Sequence, residues 1–224
     1  MNNKNLHSFK ALFVPLVSAV LFILMYMLSR NGNEFAYHHF MKETIGNTGR
    51  WLNTYGPEWF VYINKNISAL GGPTVFILIV VFVLFFLFFS KEKKIFREFF
   101  ITIAGTIILL FVLKYALNTN RPKDIFNLFL NDDLGFPSGH AMSSIVLYSS
   151  ISIYSARKIA NIKARLLIIV FTVAIIILIG ISRLIVGAHT PEEVIAGWCA
   201  GIFWIAFINF IFSRRTPPGE KAHI

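Results

Sequence analysis

Three short segments of this chain combine the residue types that bind and transfer a phosphate group. They are Lys114–Pro122, Pro137–His140 and Ser182–Glu193. Between them they supply three cations and two histidines. Lysine offers a point charge and arginine a planar fork of donors that matches phosphate oxygens. Histidine, with an unperturbed pKa of about 6.5, can move protons or attack phosphorus. The three segments therefore indicate phosphoryl chemistry.

The first segment separates Lys114 and Arg121 by seven residues, close to two helical turns. The helix is not expected to reach Arg121, because a residue before proline, here Pro122, is pushed toward an extended conformation. A loop would let Arg121 fold back toward the membrane edge. The alternative is two cations that extend from a helix end into water.

The second segment predicts a helix start at Ser138, which is a favourable N-cap residue. Gly139 allows an anion to approach the backbone. The first amides of a helix lack internal partners and bind anions readily. His140 would then lie beside that anion and could protonate a departing oxygen. The alternative is a plain N-cap followed by a boundary histidine.

The third segment places Arg183 near the end of an apolar run, where a charge is costly and hence a functional candidate. Gly187 is expected to loosen or end that helix. Glu193 has two interpretations. Its carboxylate could orient His189 by accepting a hydrogen bond from one ring nitrogen. Alternatively, Thr190 and Glu193 form a capping box that begins the next helix.

All three segments lie at the edges of apolar runs that approach or exceed the roughly 20 residues of a membrane-spanning helix. The composition agrees: 56% of residues are hydrophobic, 14% are charged, and the mean hydropathy is +0.66. The sequence predicts an all-α membrane domain over residues 1–213, followed by a tail over 214–224. The six predicted transmembrane helices are about Ala11–Ser29, Ser68–Ser90, Glu98–Leu117, Ser138–Ala156, Leu166–Ala188 and Val194–Ser213.

The connection between the first two predicted helices, about Arg30–Ile67, is long and rich in aromatic residues. Its aromatics are Phe35, Tyr37, Phe40, Trp51, Tyr55, Trp59, Phe60 and Tyr62. Such residues favour the membrane–water boundary. One or two interfacial helices are expected, which either line a lipid entry route or only anchor the protein.

Basic residues predict the orientation in the membrane. Of the 21 lysines and arginines, 13 lie at the N-terminus, in the second–third and fourth–fifth connections, and in the tail. The positive-inside rule then places both termini in the cytoplasm and the three segments outside. Because the basic residues are explained by topology, the net charge of +10 does not indicate nucleic-acid binding.

Taken in order, the three segments resemble the three-part motif of the type 2 phosphatidic acid phosphatase (PAP2) superfamily. The resemblance implies that phosphate is bound by Lys114, Arg121, Ser138, Gly139 and Arg183. It implies further that His189 is the nucleophile, His140 the general acid and Glu193 the group that orients His189. The family normally has Asp where this chain has Glu193. No metal or other cofactor is implied, and we interpret Asp132 and Asp133 as a loop pair.

The resemblance implies hydrolysis of a lipid phosphate or diphosphate at the outer face of a bacterial cytoplasmic membrane. Expected substrates are undecaprenyl diphosphate, phosphatidylglycerol phosphate, phosphatidic acid and the 1-phosphate of lipid A. The partners are the lipid substrate and the bilayer, with no obligate protein partner indicated. Two alternatives remain: a lipid-to-lipid phosphotransferase with the same motifs, and an anion channel or transporter that uses the same cations.

Overall fold

The chain folds into α-helices throughout the part that the structure describes. The computed structural model describes the backbone of residues 3–31, 33–46, 54–117 and 135–214, and the side chains of 13–31, 37–46, 54–117 and 135–212. The helices are α1 (Asn3–Arg30), α2 (Asn33–Ile45), α3 (Glu58–Ala69), α4 (Pro73–Phe89), α5 (Lys93–Leu117), α6 (Gly139–Lys158), α7 (Ile162–Ile185) and α8 (Pro191–Arg214).

Five stretches of these helices are long and apolar enough to cross a membrane: α1, the α3–α4 stretch, α5, α7 and α8. The all-helical, multi-pass prediction is therefore confirmed. Helix α6 has 20 residues, and it carries several serines among its buried positions. An inner helix can carry serines because neighbouring helices cover them. A sixth span through α6 stays a prediction.

The first connection contains two helices, α2 and α3, as the sequence predicted. The predicted start of the next helix at Ser68 is wrong, because α3 continues to Ala69 and α4 begins only at Pro73. Gly72 is extended at the N-cap, with φ −74° and ψ 158°, and Pro73 occupies the first turn of α4. Proline suits that position because its missing N–H would have no helical partner there.

Opposite ends of the helices gather different residues. At one end, Lys158 pairs with Glu92 at 2.5 Å, which joins the α6–α7 and α4–α5 connections. At the other end, the Ser138 amide donates to the Glu193 carbonyl at 3.0 Å, which joins the starts of α6 and α8. With a rise of about 1.5 Å per residue, α6 separates these ends by about 30 Å. The basic connections and the motif residues therefore lie far apart.

Helices α6 and α8 approach each other closely through two glycines of α8. A Cβ on Gly197 would lie 2.6 Å from the Ser138 carbonyl oxygen, and one on Gly201 would lie 2.3 Å from the Ile145 side chain. Small residues four apart bring membrane helices together in this way. A separate apolar core lies between α4, α5 and α6, and its buried members are Phe76, Leu87, Phe99, Ile103, Val146 and Leu147. This packing determines where α6 starts relative to α8.

Candidate active site

The turn after α7 sets the position of His189. Gly187 has φ +64°, a left-handed conformation that glycine adopts without a steric penalty. The Gly187 amide donates to the Leu184 carbonyl, and the Ala188 amide to the Arg183 carbonyl, each at 3.0 Å. These two bonds form a Schellman motif. The sequence-based prediction that Gly187 ends the helix is confirmed, and the motif brings His189 directly after the last turn of α7.

His189 and Glu193 form a buried pair at the start of α8. The two atoms His189 Nδ1 and Glu193 Oε2 are 2.6 Å apart, and the residues are 5% and 3% exposed. The same oxygen accepts a bond from the Thr190 amide at 3.3 Å. That bond is half of a capping box, whereas the buried Thr190 hydroxyl has no hydrogen-bond partner among the described residues. Both interpretations of Glu193 are thus represented, and the bond to the imidazole is the shorter.

Ser138 lies against this pair at the N-terminus of α6. Its amide donates to the Glu193 backbone carbonyl, and its own carbonyl accepts from Met142. Ser138 occupies the N-cap position, so the predicted helix start is confirmed, but its side chain makes no capping bond. Its Oγ atom is buried and has no hydrogen-bond partner among the residues that the structure describes. A buried hydroxyl without a partner is costly, which makes it a candidate for a ligand contact.

The remaining described motif residues surround the same helix ends. Arg183 Nη1 donates to Ser68 Oγ of α3 at 2.7 Å. A Cβ built on Gly139 would lie 3.3 Å from Leu110 of α5, and Lys114 follows Leu110 by one helical turn. Arg121 lies outside the described residues, as do Asp132 and Asp133.

His140 extends this arrangement to the turn between α3 and α4. Its backbone oxygen and Cβ lie near Gly71, and its Nε2 lies near Gly72. The first turn of α6 thus meets α3–α4 on one side and α8 on the other. Phosphoryl transfer requires little from a protein besides positioning of the reactants and stabilisation of charge, and helix-start amides together with cations supply both.

A family model described as the PAP2 superfamily matches residues 95–217, more than half of the chain. The chain belongs to the PAP2 superfamily. Undecaprenyl-diphosphatase from Sulfolobus acidocaldarius is 29% identical over 176 residues, which cover 73% of this chain and 81% of that protein. Phosphatidylglycerophosphatase B from Bacillus subtilis is 24% identical over 145 residues, which cover 64% of this chain and 71% of that protein.

The fold agrees with this membership. The crystal structure of a transmembrane PAP2-type phosphatidylglycerolphosphate phosphatase from Bacillus subtilis superposes with a TM-score of 0.76 at 18% identity, over 91% of this chain and 98% of that one. At 18% sequence identity, this structural similarity establishes the fold only. The PAP2 resemblance predicted from the three segments is confirmed, and the chain is a multi-pass membrane phosphatase.

A cluster of residues from the first connection packs against the end of α7. None of its members belongs to the PAP2 motifs. Tyr55 is fully buried with Met41 and Ile185, and its amide donates to the Ile185 carbonyl at 3.0 Å. Its hydroxyl contacts His38 Nδ1 of α2. Tyr37 donates from its hydroxyl to the Leu184 carbonyl at 3.4 Å. This part of the connection therefore holds the turn that carries His189.

The electrostatics of the cluster reflect its burial. Burial raises the pKa of the Tyr55 hydroxyl well above its usual range. Burial, and then the positive charge of Lys42, lower the pKa of His38, while the negative charge of Glu193 acts in the opposite direction. His38 is therefore favoured in its neutral form.

The aromatic residues of the first connection divide into two groups. Tyr37, Tyr55 and Phe60 pack together, whereas Phe40, Trp59 and Tyr62 are more than half exposed. The side chain of Phe35 and all of Trp51 lie outside the described residues. Sequence reasoning identified the aromatics as a group. It did not separate the packed members or include Ser68, because a partner distant in sequence leaves no local pattern.

Proposed function

We propose that this chain hydrolyses a phosphate or diphosphate carried by a membrane lipid, through a phosphohistidine on His189. The expected substrates are undecaprenyl diphosphate, phosphatidylglycerol phosphate, phosphatidic acid and lipid A 1-phosphate. The names of the two curated relatives support the first two.

The observation that carries this proposal is the buried contact between His189 Nδ1 and Glu193 Oε2 at 2.6 Å. A carboxylate that accepts from Nδ1 stabilises the tautomer in which Nε2 has a lone pair for attack. Directly beside this pair lies Ser138, whose buried hydroxyl has no partner within the described part of the chain. An oriented nucleophile next to an anion-binding helix start is what phosphoryl transfer requires.

The proposed reaction has two steps. His189 Nε2 attacks phosphorus, the bond from phosphorus to the leaving oxygen breaks, and His140 donates a proton to that oxygen. Water then attacks the phosphohistidine, the P–N bond breaks, and His140 accepts a proton from the water as phosphate departs. Lys114, Arg121 and Arg183, together with the α6 amides, stabilise the charge on the equatorial oxygens in both steps.

Release of inorganic phosphate from purified protein in detergent micelles tests the proposal. His189→Ala should abolish turnover, with a melting temperature close to that of the parent chain. His140→Ala should slow both steps, but formation of the intermediate least with a diphosphate lipid, whose leaving oxygen needs a proton least. A brief reaction of this variant with labelled diphosphate lipid should therefore leave an acid-labile, base-stable phosphate on the protein. Full activity of His189→Ala would refute the phosphohistidine. The channel or transporter alternative predicts instead that no phosphate is released by the parent chain and that anion transport survives His189→Ala largely intact.

The same assay separates the candidate substrates and the transfer alternative. Each lipid is presented alone, and monophosphates are compared with diphosphates at equal mole fraction in the micelle. Phosphate release without an added acceptor supports hydrolysis. Release that appears only after a second lipid alcohol is added, with the phosphate found on that alcohol, supports transfer.

We propose further that the active site faces the outside of a bacterial cytoplasmic membrane, with both termini in the cytoplasm. The contact between Lys158 and Glu92, at the end of α6 opposite Ser138, supports this orientation. In a Cys199→Ser background, a membrane-impermeant thiol reagent applied to intact cells should label Asn66→Cys and not Ser90→Cys. The reverse labelling would overturn the orientation and leave the chemistry untouched.

A further inference from the structure

The turn between α3 and α4 connects two residues that the proposed reaction uses. We call Ser68–Gly72 the α3–α4 corner. At its start, Ser68 Oγ accepts a hydrogen bond from Arg183 Nη1 at 2.7 Å. At its end, a Cβ built on Gly72 would lie 3.6 Å from His140 Nε2. One five-residue segment therefore contacts a phosphate-binding candidate and the proposed general acid.

The bond to Ser68 restrains Arg183 without neutralising it. Ser68 is 4% exposed, so the bond is shielded from water. A serine hydroxyl is a neutral acceptor, whereas a carboxylate at this place would cancel the positive charge. Because the arginine fork recognises phosphate through its planar geometry, the orientation of the guanidinium affects binding directly. A neutral, buried acceptor is thus suited to orient a phosphate-binding arginine.

Close packing holds the corner in position. A Cβ on Gly71 would lie 2.7 Å from the Ile179 side chain of α7 and 3.3 Å from the His140 carbonyl oxygen. The corner is therefore in direct contact with both α7 and the first turn of α6. Displacement of the corner would move Arg183 and the surroundings of His140 together.

A side chain at position 72 would contact different atoms from a side chain at position 71. A Cβ on Gly72 would make ordinary contact with His140 Nε2 and a tighter contact of 3.1 Å with the Ala69 carbonyl. Its φ of −74° is accessible to any residue. An alanine here therefore needs no change of φ and only a shift of the Ala69 carbonyl by a few tenths of an ångström, and its methyl group occupies space next to the nitrogen that would protonate the leaving oxygen.

We propose that the α3–α4 corner is a fourth segment of the active site: Ser68 is the positioning residue for Arg183, and Gly72 leaves room for His140 Nε2 to approach the leaving oxygen. This inference rests on the proposed function for its chemistry. Its first test, however, requires no turnover.

The first test measures binding of inorganic phosphate to the full chain in detergent by the rise in melting temperature that a ligand of the folded state produces. Ser68→Ala should weaken phosphate binding about tenfold or more, because a hydrogen bond to a charged group is lost. Ser68→Thr should restore it. Ser68→Cys, with a weak acceptor of similar size, is the second variant if the alanine chain does not fold.

Ser18→Ala is the matched control. Ser18 is also 4% exposed, but within the described residues its hydroxyl donates to the Val14 and Pro15 carbonyls of its own helix. The control should lose a similar amount of stability and keep the phosphate affinity of the parent chain. Equal phosphate affinity in Ser68→Ala and Ser18→Ala would overturn the positioning role, whether or not any lipid is hydrolysed.

The second test compares leaving groups with Gly72→Ala. The leaving group of a monophosphate lipid is an alcohol oxygen, which needs a proton. The leaving group of a diphosphate lipid is a phosphate oxygen, which is more stable as an anion. Gly72→Ala should therefore reduce kcat for the monophosphate several-fold more than for the diphosphate. Equal effects on both substrates would refute the role of Gly72. If the parent chain released no phosphate from either lipid, the proposed function would fail, and the phosphate-binding result would still decide the role of Ser68.

Discussion

Replacement of Glu193 by glutamine decides between the two roles that its carboxylate plays in the structure. One oxygen, Oε2, accepts from His189 Nδ1 at 2.6 Å and from the Thr190 amide at 3.3 Å. The shorter contact has the geometry of a charge-assisted bond, and the longer one is at the weak end of the range. The geometry therefore predicts that orientation of the imidazole is the dominant role.

Glutamine retains the shape and one acceptor oxygen but removes the charge. A hydrogen bond to a charged group contributes about 1.5–3 kcal/mol and a neutral one about 1 kcal/mol, so about 2- to 30-fold in rate depends on the charge alone. In serine proteases, the corresponding change in the triad reduces kcat by about 10⁴-fold because the imidazole adopts the wrong tautomer. We expect Glu193→Gln to lose at least about 100-fold in kcat. Its stability should fall by less than about 1 kcal/mol, since an amide oxygen can still cap.

The assay measures kcat for phosphate release and the melting temperature of the same preparation. Glu192→Gln is the matched control, because it removes the same charge from the same first turn of α8. Glu193→Asp adds a second comparison. One methylene fewer withdraws the carboxylate by about 1.5 Å, which lengthens the bond to His189 to about 4 Å unless α8 shifts. Suppose that Glu193→Gln keeps most of its activity and loses clearly more stability than Glu192→Gln. The carboxylate would then serve mainly as a cap, and the reasoning above would be wrong.

Three further predictions concern the elements that hold the site. Gly187→Ala should cost about 1–2 kcal/mol of stability and most of the activity, because a Cβ is strained at φ +64° and the hydrogen bonds of the Schellman motif fix that conformation. Gly187→Asn should have a smaller effect in the same melting and rate assays, since asparagine tolerates the left-handed region better. Gly197→Ala should reduce both stability, by about 1–3 kcal/mol, and kcat, since its Cβ would meet the Ser138 carbonyl at 2.6 Å; unchanged kinetics would contradict the tight α6–α8 contact. Because the pKa of His38 is lowered in the folded chain, the unfolded chain binds more protons than the folded chain below about pH 6.5. Stability should therefore fall as the pH drops through that value. His38→Gln should reduce this dependence of the melting temperature on pH between pH 7.5 and 5.5.

Local sequence patterns predicted the features that depend on local physics. The apolar runs gave the helices, and Gly187 gave the end of α7, because hydropathy and left-handed glycine are properties of a few neighbouring residues. The start of α4 was placed too early because the apolar run was extended back through Leu70 and Ala69 to Ser68, whereas the break comes from Gly72 and Pro73. Those two residues were present in the sequence and carried the signal.

Contacts between distant residues could not be predicted in this way. Nothing near Ser68 indicates that its hydroxyl would meet Arg183, and nothing near Tyr55 indicates complete burial against Ile185. The Ser138 side chain shows the limit even for a local rule. A serine at an N-cap position normally bonds the next turn, yet this hydroxyl makes no such bond. The roles of Arg121 stay a prediction, because it lies outside the described residues.

The site lies where two helices begin and one ends, and this arrangement raises an electrostatic problem. The starts of α6 and α8 present the positive ends of their dipoles to an anion, whereas the end of α7 presents a negative end. The backbone oxygens of the last turn of α7 are, however, already occupied. The Arg183 carbonyl accepts from Ala188 and His189, the Leu184 carbonyl from Gly187 and Tyr37, and the Ile185 carbonyl from Tyr55.

These bonds direct the negative end of α7 into its own Schellman turn and into the first connection. In the proposed binding mode, an approaching phosphate would meet the amides of α6 and the guanidinium of Arg183 and not the carbonyls of α7. On this view Tyr37 and Tyr55 favour anion binding although neither is charged at neutral pH, because they satisfy oxygens that would otherwise repel the ligand. The aromatic cluster of the first connection is therefore part of the electrostatic design of the site and not only a membrane anchor.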